Sequence, residues 1–243
     1  MLELKNINFS VETENGNRKL LKDISLRIND ASCTVITGPN GSGKSTLAKI
    51  IAGIYTPDSG QILLDGQDIT GLSITQRAKA GISFAFQQPV RFKGLTIRDL
   101  ISLAAGRMLD IDSTCQYLSE VGLCAKDYVN REANDSLSGG ELKRIEIAMV
   151  IARKTKTSVF DEPEAGIDLW SFNNLIKVFE KMIAERASSI VIISHQERIL
   201  ETADQIVVLS DGVISEIGPK EEIFPQLMDT ADECKFFKEA TVL

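Results

Sequence analysis

Apolar positions along this chain fall into short runs separated by polar stretches, and the spacing within the runs changes from one region to the next. Strands are predicted over residues 2–11, 24–28, 33–37, 61–64, 82–86, 157–160, 189–194, 205–209 and 213–217. Polar turns divide the first, second and fourth of these, which therefore read as antiparallel. Ser158-Val159-Phe160 and Ile190-Val191-Ile192-Ile193 are unbroken apolar runs, the pattern of parallel strands covered on both faces. Ser210-Asp211-Gly212 is a hairpin signal between the last two strands. Between residues 94 and 153 the period becomes helical, with Leu142, Ile145, Met149 and Ala152 on one face. No linker or repeat interrupts the chain. The expected organisation is one α/β domain over 1–243: residues 1–89 and 154–243 form a parallel core with an N-terminal antiparallel β subdomain, and 90–153 form a helical subdomain.

Composition narrows the class. The 243 residues are 43% apolar and 25% charged, as in ordinary globular proteins, and carry a net charge of −7. That balance argues against nucleic-acid binding through a basic face. No apolar run approaches the roughly 20 residues that a spanning helix needs. The N-terminus alternates like a strand and lacks a signal-peptide layout, so the chain is expected to be cytoplasmic and to serve a membrane only through a partner. Cys33, Cys115, Cys124 and Cys234 form no C-x-x-C pair and share the chain with a single histidine, which excludes a conventional zinc site and leaves four reduced thiols.

Three motifs carry chemistry. Gly38-Pro39-Asn40-Gly41-Ser42-Gly43-Lys44-Ser45-Thr46 follows one strand and opens a helix expected over 46–54. Glycines let backbone N–H groups turn inward and the helix start adds positive potential, so this loop cradles phosphate. Lys44 is expected to reach the β- and γ-phosphates, and Ser45 to ligate Mg²⁺. Val159-Phe160-Asp161-Glu162-Pro163 ends a buried strand in two carboxylates: Asp161 is placed for the Mg²⁺ shell, Glu162 for orienting or deprotonating the attacking water. Leu137-Ser138-Gly139-Gly140-Glu141 is a second glycine-rich turn opening a helix expected over 141–153, with Ser138 as its hydroxyl donor. One subunit has no use for two γ-phosphate cradles, so the second is expected to serve a partner's nucleotide in a two-fold pair.

The order of these motifs resembles the ATP-binding cassette (ABC) family over essentially the whole chain. The resemblance implies a P-loop NTPase fold with a RecA-like core sheet, ATP and Mg²⁺ as ligands, and ATP hydrolysis in a transient head-to-tail homodimer. It implies further roles: Gln87 as the Q-loop glutamine that contacts Mg²⁺ and relays to partners, Asp168 in Ala165-Gly166-Ile167-Asp168 at the dimer interface, and His195 as the switch residue at the γ-phosphate. With Ser138, Gly139, Gly140 and Glu141, Asp168 belongs to the surface that meets the partner's nucleotide. The family's usual adenine-stacking aromatic is missing: Val11 holds that place, while alternation turns Phe9 toward the core.

Several stretches are similar to SufC, the soluble ATPase of iron–sulfur cluster assembly: Phe84-Ala85-Phe86-Gln87-Gln88-Pro89-Val90, Asn130-Arg131-Glu132-Ala133-Asn134-Asp135, Glu141-Leu142-Lys143-Arg144-Ile145-Glu146 and Ser194-His195-Gln196-Glu197-Arg198-Ile199-Leu200. That likeness implies a SufB/SufD-like soluble scaffold as partner, contacted around residues 87–95 with Arg91, Phe92 and Lys93 as candidates. Leu142-Lys143 in place of a lysine pair, Trp170, and the tail 224–243 depart from that pattern and fit a shorter or divergent branch. The alternative is the nucleotide-binding subunit of a membrane transporter, with residues 96–108 packed on a coupling helix. A binding module without ATPase activity would require Glu162 to be silent.

Overall fold

The computed structural model describes residues 1–13, 16–134 and 136–233; Asp135, Cys234 and the remainder of the tail lie outside them. In chain order the elements are β1 (Leu2–Thr13), β2 (Gly16–Ile28), β3 (Cys33–Thr37), α1 (Lys44–Ala52), β4 (Ser59–Leu64), β5 (Gln67–Asp68), α2 (Ile74–Ala80), β6 (Ile82–Ala85), α3 (Ile97–Ala105), α4 (Ile111–Glu120), α5 (Ala125–Tyr128), α6 (Gly139–Arg153), β7 (Thr157–Asp161), α7 (Leu169–Glu185), β8 (Ser189–Ile193), α8 (Glu197–Leu200), β9 (Gln205–Ser210), β10 (Val213–Pro219) and α9 (Lys220–Glu233). Two sheets result. One is antiparallel in the order β2-β1-β4-β5; the other runs β10-β9-β3-β8-β7-β6, parallel except for β10.

Alternation along the parallel strands sends successive side chains to opposite faces. Ile190 and Ile192 of β8 join Val35, Phe160, Ile206 and residues of α3, α6 and α7 in one core. Val191 and Ile193 join Ile36, Val159, Val207, α1 and the antiparallel sheet in the other. The solid apolar runs thus arise because both faces are covered. Among the described residues no helix is long and apolar enough to cross a membrane.

The differences from the sequence reading have local causes. β2 reaches back to Gly16, where Asn17, Arg18 and Lys19 are exposed and carry no apolar signal, because β1 supplies the pairing. The two-residue β5 is too short to register as a period. Helix α1 begins at Lys44 rather than 46, and α6 at Gly139 rather than 141, so both glycine-rich turns merge directly into helix. In α6 Met149 is only partly buried, whereas Lys143, Ile147, Ala148 and Val150 are buried as well. This helix is enclosed nearly all round, so a single apolar face describes it poorly.

Arg77 of α2 fastens α1 from behind. It is 1% exposed, and Nη1 donates to the carbonyls of Ile50 (2.6 Å) and Ile51 (3.0 Å), Nη2 to Thr70 (2.7 Å) and Nε to Leu72 (3.3 Å). Carbonyls of a helix's last turn lack intrahelical donors, and a cation there also complements the helix dipole. Arg77→Met should therefore cost about 3 kcal/mol in urea unfolding, by stranding buried carbonyls. Arg77→Lys should recover only part, because a point cation cannot span the fork that the guanidinium fills; full recovery would show that charge alone matters.

Candidate active site

Because β3, β6, β7 and β8 run parallel, their C-terminal ends open at one edge of the sheet, where such folds place their ligands. Gly38 leaves β3 there, Phe86 and Gln87 follow β6, Glu162 follows β7, and Ser194 and His195 follow β8. Two backbone bonds knit these ends: Glu162 N–H to Ile193 carbonyl (3.0 Å) and Ser194 N–H to Ile36 carbonyl (3.2 Å).

The loop between β3 and α1 is held in one shape. Gly38 has φ 134°, and a Cβ there would lie 2.0 Å from the Leu209 carbonyl oxygen of β9, so only glycine fits. Ser42 N–H closes the turn on the Pro39 carbonyl at 3.2 Å. The first turn of α1 carries no acidic residue, and its N-cap, Gly43, offers no side-chain acceptor to the free N–H groups. The Ser42 hydroxyl is shielded without a partner among the described residues. Lys44, 5% exposed, folds back so that Nζ donates to the carbonyls of Gly38 (2.7 Å) and Pro39 (2.9 Å). Burial pulls its pKa down, while Glu162 and Asp161 favour the charged form. Asn40 and Gly41 are exposed at the loop tip, and Thr46 is half-buried behind it.

Next to this loop the Ser45 hydroxyl donates to Asp161 Oδ1 at 2.8 Å. Asp161 is fully buried and its Oδ2 has no partner among the described residues. Burial raises its pKa, the Ser45 bond lowers it, and Glu162 raises it again. A shielded carboxylate oxygen without a donor needs a cation, and a carboxylate beside a hydroxyl is a hard oxygen set that suits Mg²⁺. Among the described residues no three His, Cys, Asp or Glu side chains gather as a metal cage. Mg²⁺ does not need one, since it keeps waters and shares its sphere with substrate phosphates. The residues present therefore fit the ion. Beside them Gln87 Nε2 donates to Glu162 Oε2 at 2.5 Å. Glu162 sits at φ 43°, a left-handed conformation unusual for a side-chain-bearing residue and characteristic of functional turns.

The second glycine-rich turn stands at the start of α6. Ser138 caps α6, its hydroxyl accepting from Glu141 N–H at 3.2 Å while its own N–H donates to Glu141 Oε2 at 2.6 Å. Tyr128 braces the same carboxylate with its hydroxyl. The bonds described for Ser138 stay within this helix start, and as an acceptor there its hydroxyl keeps its proton available. Gly139 is exposed, and a Cβ on Gly140 would come 3.5 Å from the Gly166 carbonyl oxygen, so this turn abuts the segment leading to Asp168. Asp168 is exposed and caps α7 through Ser171, at 3.0 Å to the N–H and 2.7 Å to the hydroxyl.

Three other expectations meet the geometry. Phe9 packs on the core beneath the antiparallel sheet and stacks on Tyr55 at 5.3 Å, which fits its inward placement, while Val11 is half-buried. Of the candidate partner contacts, Arg91 and Lys93 are exposed, and Phe92 is half-buried on the core with its N–H bonded to the Ala133 carbonyl (3.0 Å). Glu164 escaped the sequence reading. Its Oε1 accepts from the Ser194 hydroxyl at 2.5 Å, its Oε2 is shielded, and burial pushes its pKa up to about 7. A third carboxylate within four residues was its only sequence signal.

Comparison with known proteins agrees with this geometry. Residues 21–165 match the protein family described as ABC transporter. An uncharacterized ABC transporter ATP-binding protein of Methanocaldococcus jannaschii is 35% identical over 216 residues, covering 86% of each chain. A probable ATP-dependent transporter, ycf16, of Pyropia yezoensis is 33% identical over 234 residues, covering 90% of this chain and 91% of its own. A solved dimeric, post-hydrolysis ATP-binding cassette bound to ADP and Pi superposes with a TM-score of 0.81 at 23% identity, covering 90% of this chain and 99% of that one; at that identity it shows the fold alone.

The raised pKa of Glu164 sets the sign of a pH effect. Its ordinary value is 4.5, so between there and about 7 the native chain holds a proton that the unfolded chain releases. Its contribution is therefore full below 4.5 and lost as the pH rises through 7. Glu164→Gln keeps an acceptor for Ser194 and removes the loss. It should be more stable than the parent at pH 8 by on the order of 1–3 kcal/mol in urea titrations, converging near pH 5; parallel pH profiles would rule this out.

Proposed function

Because the chain belongs to the ABC transporter family of ATP-binding proteins and is an ATPase working with Mg²⁺, we propose that hydrolysis proceeds at the edge formed by β3, β6, β7 and β8. The observation that supports this most is the buried pair Ser45–Asp161 beside the contact Gln87–Glu162, both next to the phosphate loop. Residues 38–46 bind the phosphates through inward N–H groups, and Lys44 exchanges its loop carbonyls for phosphate oxygens. Ser45, Asp161 and Gln87 would hold Mg²⁺, which would supply positive charge to offset that of the phosphates. Glu162 orients the attacking water and accepts its proton, with Gln87 setting the carboxylate's direction. His195, next to β8, faces the γ-phosphate.

Ser138, Gly139, Gly140, Glu141 and Asp168 complete the partner's site in a head-to-tail pair. The free helix-start N–H groups of α6 and the hydroxyl proton of Ser138 support that reading, as does the dimeric state of the ADP- and Pi-bound cassette that shares the fold. ATP stabilises closure by bridging the two cradles, and hydrolysis removes the bridge.

The load that closure moves is a soluble iron–sulfur assembly scaffold of SufB/SufD type. The SufC-like stretches around Gln87, Glu141 and His195 support it, as does Val11 where an aromatic would stack. A second reading, a transporter's nucleotide-binding subunit, draws on the printed names of both relatives and on Leu103 (68% exposed), Met108 (78%) and Ile111 (51%), apolar positions open to a membrane partner.

Two outcomes test these statements. Glu162→Gln should bind Mg·ATP, lose turnover by about 100- to 1,000-fold, and elute as a dimer in gel filtration with ATP; a monomer at saturating Mg·ATP would sink the shared site. Affinity purification from the native host should retain a soluble iron–sulfur scaffold, whereas recovery only in detergent with a multispanning protein would establish the transporter reading.

A further inference from the structure

Helix α6 carries two charged side chains in a part of the fold that is otherwise apolar. Lys143 is wholly buried and Glu146, one turn later, retains 13% side-chain exposure; Nζ and Oε2 lie 3.6 Å apart. A buried ion pair contributes little net stability, and apolar side chains of the same volume often serve as well or better. The pair's other contacts point to a more specific role. Both side chains reach Phe86, the first residue beyond β6. Phe86 N–H donates to Glu146 Oε1 at 2.8 Å, and Lys143 Nζ donates to the Phe86 carbonyl and, at 3.3 Å, to the Gln87 carbonyl.

One helix thus grips both backbone hydrogen-bonding groups of a single residue. That residue stands where the chain has left its ladder: β6 ends at Ala85, and Phe86, Gln87 and Gln88 are all exposed. Without such a grip the backbone there would be free to swing, and Gln87 with it. The grip extends to the backbone of Gln87, the residue whose side chain meets Glu162. Five residues before Lys143 stands Ser138, the N-cap of the same helix. A shift of α6 therefore carries the cap at Ser138 and the aim of Gln87 together.

We propose that Lys143 and Glu146 are positioning residues for ATP hydrolysis, gripping the Phe86–Gln87 backbone so that the Gln87 amide meets Glu162. The proposal rests on the reading that Gln87 and Glu162 act in the hydrolytic step. It assigns the pair an effect on turnover and none on nucleotide affinity, since the bonds described for the two side chains go to each other and to the Phe86–Gln87 backbone, not to the phosphate loop.

The test uses the full chain with Mg·ATP and compares Lys143→Met, Glu146→Leu, the paired double variant and Gln87→Ala by steady-state kinetics. The apolar double variant carries the comparison if either single change unfolds the protein. Expected is a kcat about 10- to 100-fold lower for the double variant, the scale of a small misplacement of a reacting group. KM for ATP should stay within about twofold and the thermal midpoint should be retained. Glu146→Gln, which keeps an acceptor for Phe86 N–H, should lose less than Glu146→Leu. Adding Gln87→Ala to the double variant should cost nothing further, because the pair acts through that residue. Losses that multiply, a rise in KM matching the fall in kcat, or a double variant with the parent's kcat would each overturn the proposal. A Gln87→Ala protein with the parent's kcat would remove the underlying reading of Gln87, and the grip with it.

Discussion

The edge where β3, β6, β7 and β8 end answers to one electrostatic constraint, a carboxylate buried at the end of β7 with an oxygen that no donor reaches among the described residues. Taking an ionised Asp161 out of water is costly unless positive charge is brought to it. Ser45 supplies one hydrogen bond, and Lys44 lies near enough for its charge to be felt, yet Oδ2 is left over. In the function proposed above, the nucleotide's Mg²⁺ would meet that oxygen. The loop beside it is fixed by packing, because Gly38 against β9 leaves no room for a side chain.

The neighbouring carboxylates show how environment separates three acids of similar chemistry. Asp161 is buried and accepts from the hydroxyl of Ser45. Glu162 turns outward through a left-handed backbone and takes an amide from Gln87. Glu164 turns inward, where burial holds it near neutrality and the Ser194 hydroxyl ties it to the strand that precedes His195. Through that bond the segment leading to Asp168 and the segment bearing His195 share a contact, although Asp168 and His195 are far apart in sequence.

The chemistry was legible where a motif states its own geometry. A glycine-rich turn between strand and helix needs no distant partner to be understood, nor does an acidic pair ending an apolar strand. Solid apolar runs announced the parallel sheet for the same reason. What escaped depends on contacts between segments far apart in sequence. Residues 16–23 form a strand because β1 pairs with them. Phe92 lies against the core because its N–H finds Ala133. Lys143 and Glu146 meet at Phe86 only because the fold lays the end of β6 against α6. The finer identity of the load stays with the local likeness to SufC, since the fold is common to the whole family.

Arg77 makes the two ends of α1 unequal. Its tail is pinned to Thr70 and Leu72 by a guanidinium that accepts no other geometry, and its head carries the phosphate loop. With its tail held this way, α1 presents the phosphate loop from a braced base. The shape of a phosphate cradle thus leans on an arginine at the opposite end of the helix from it.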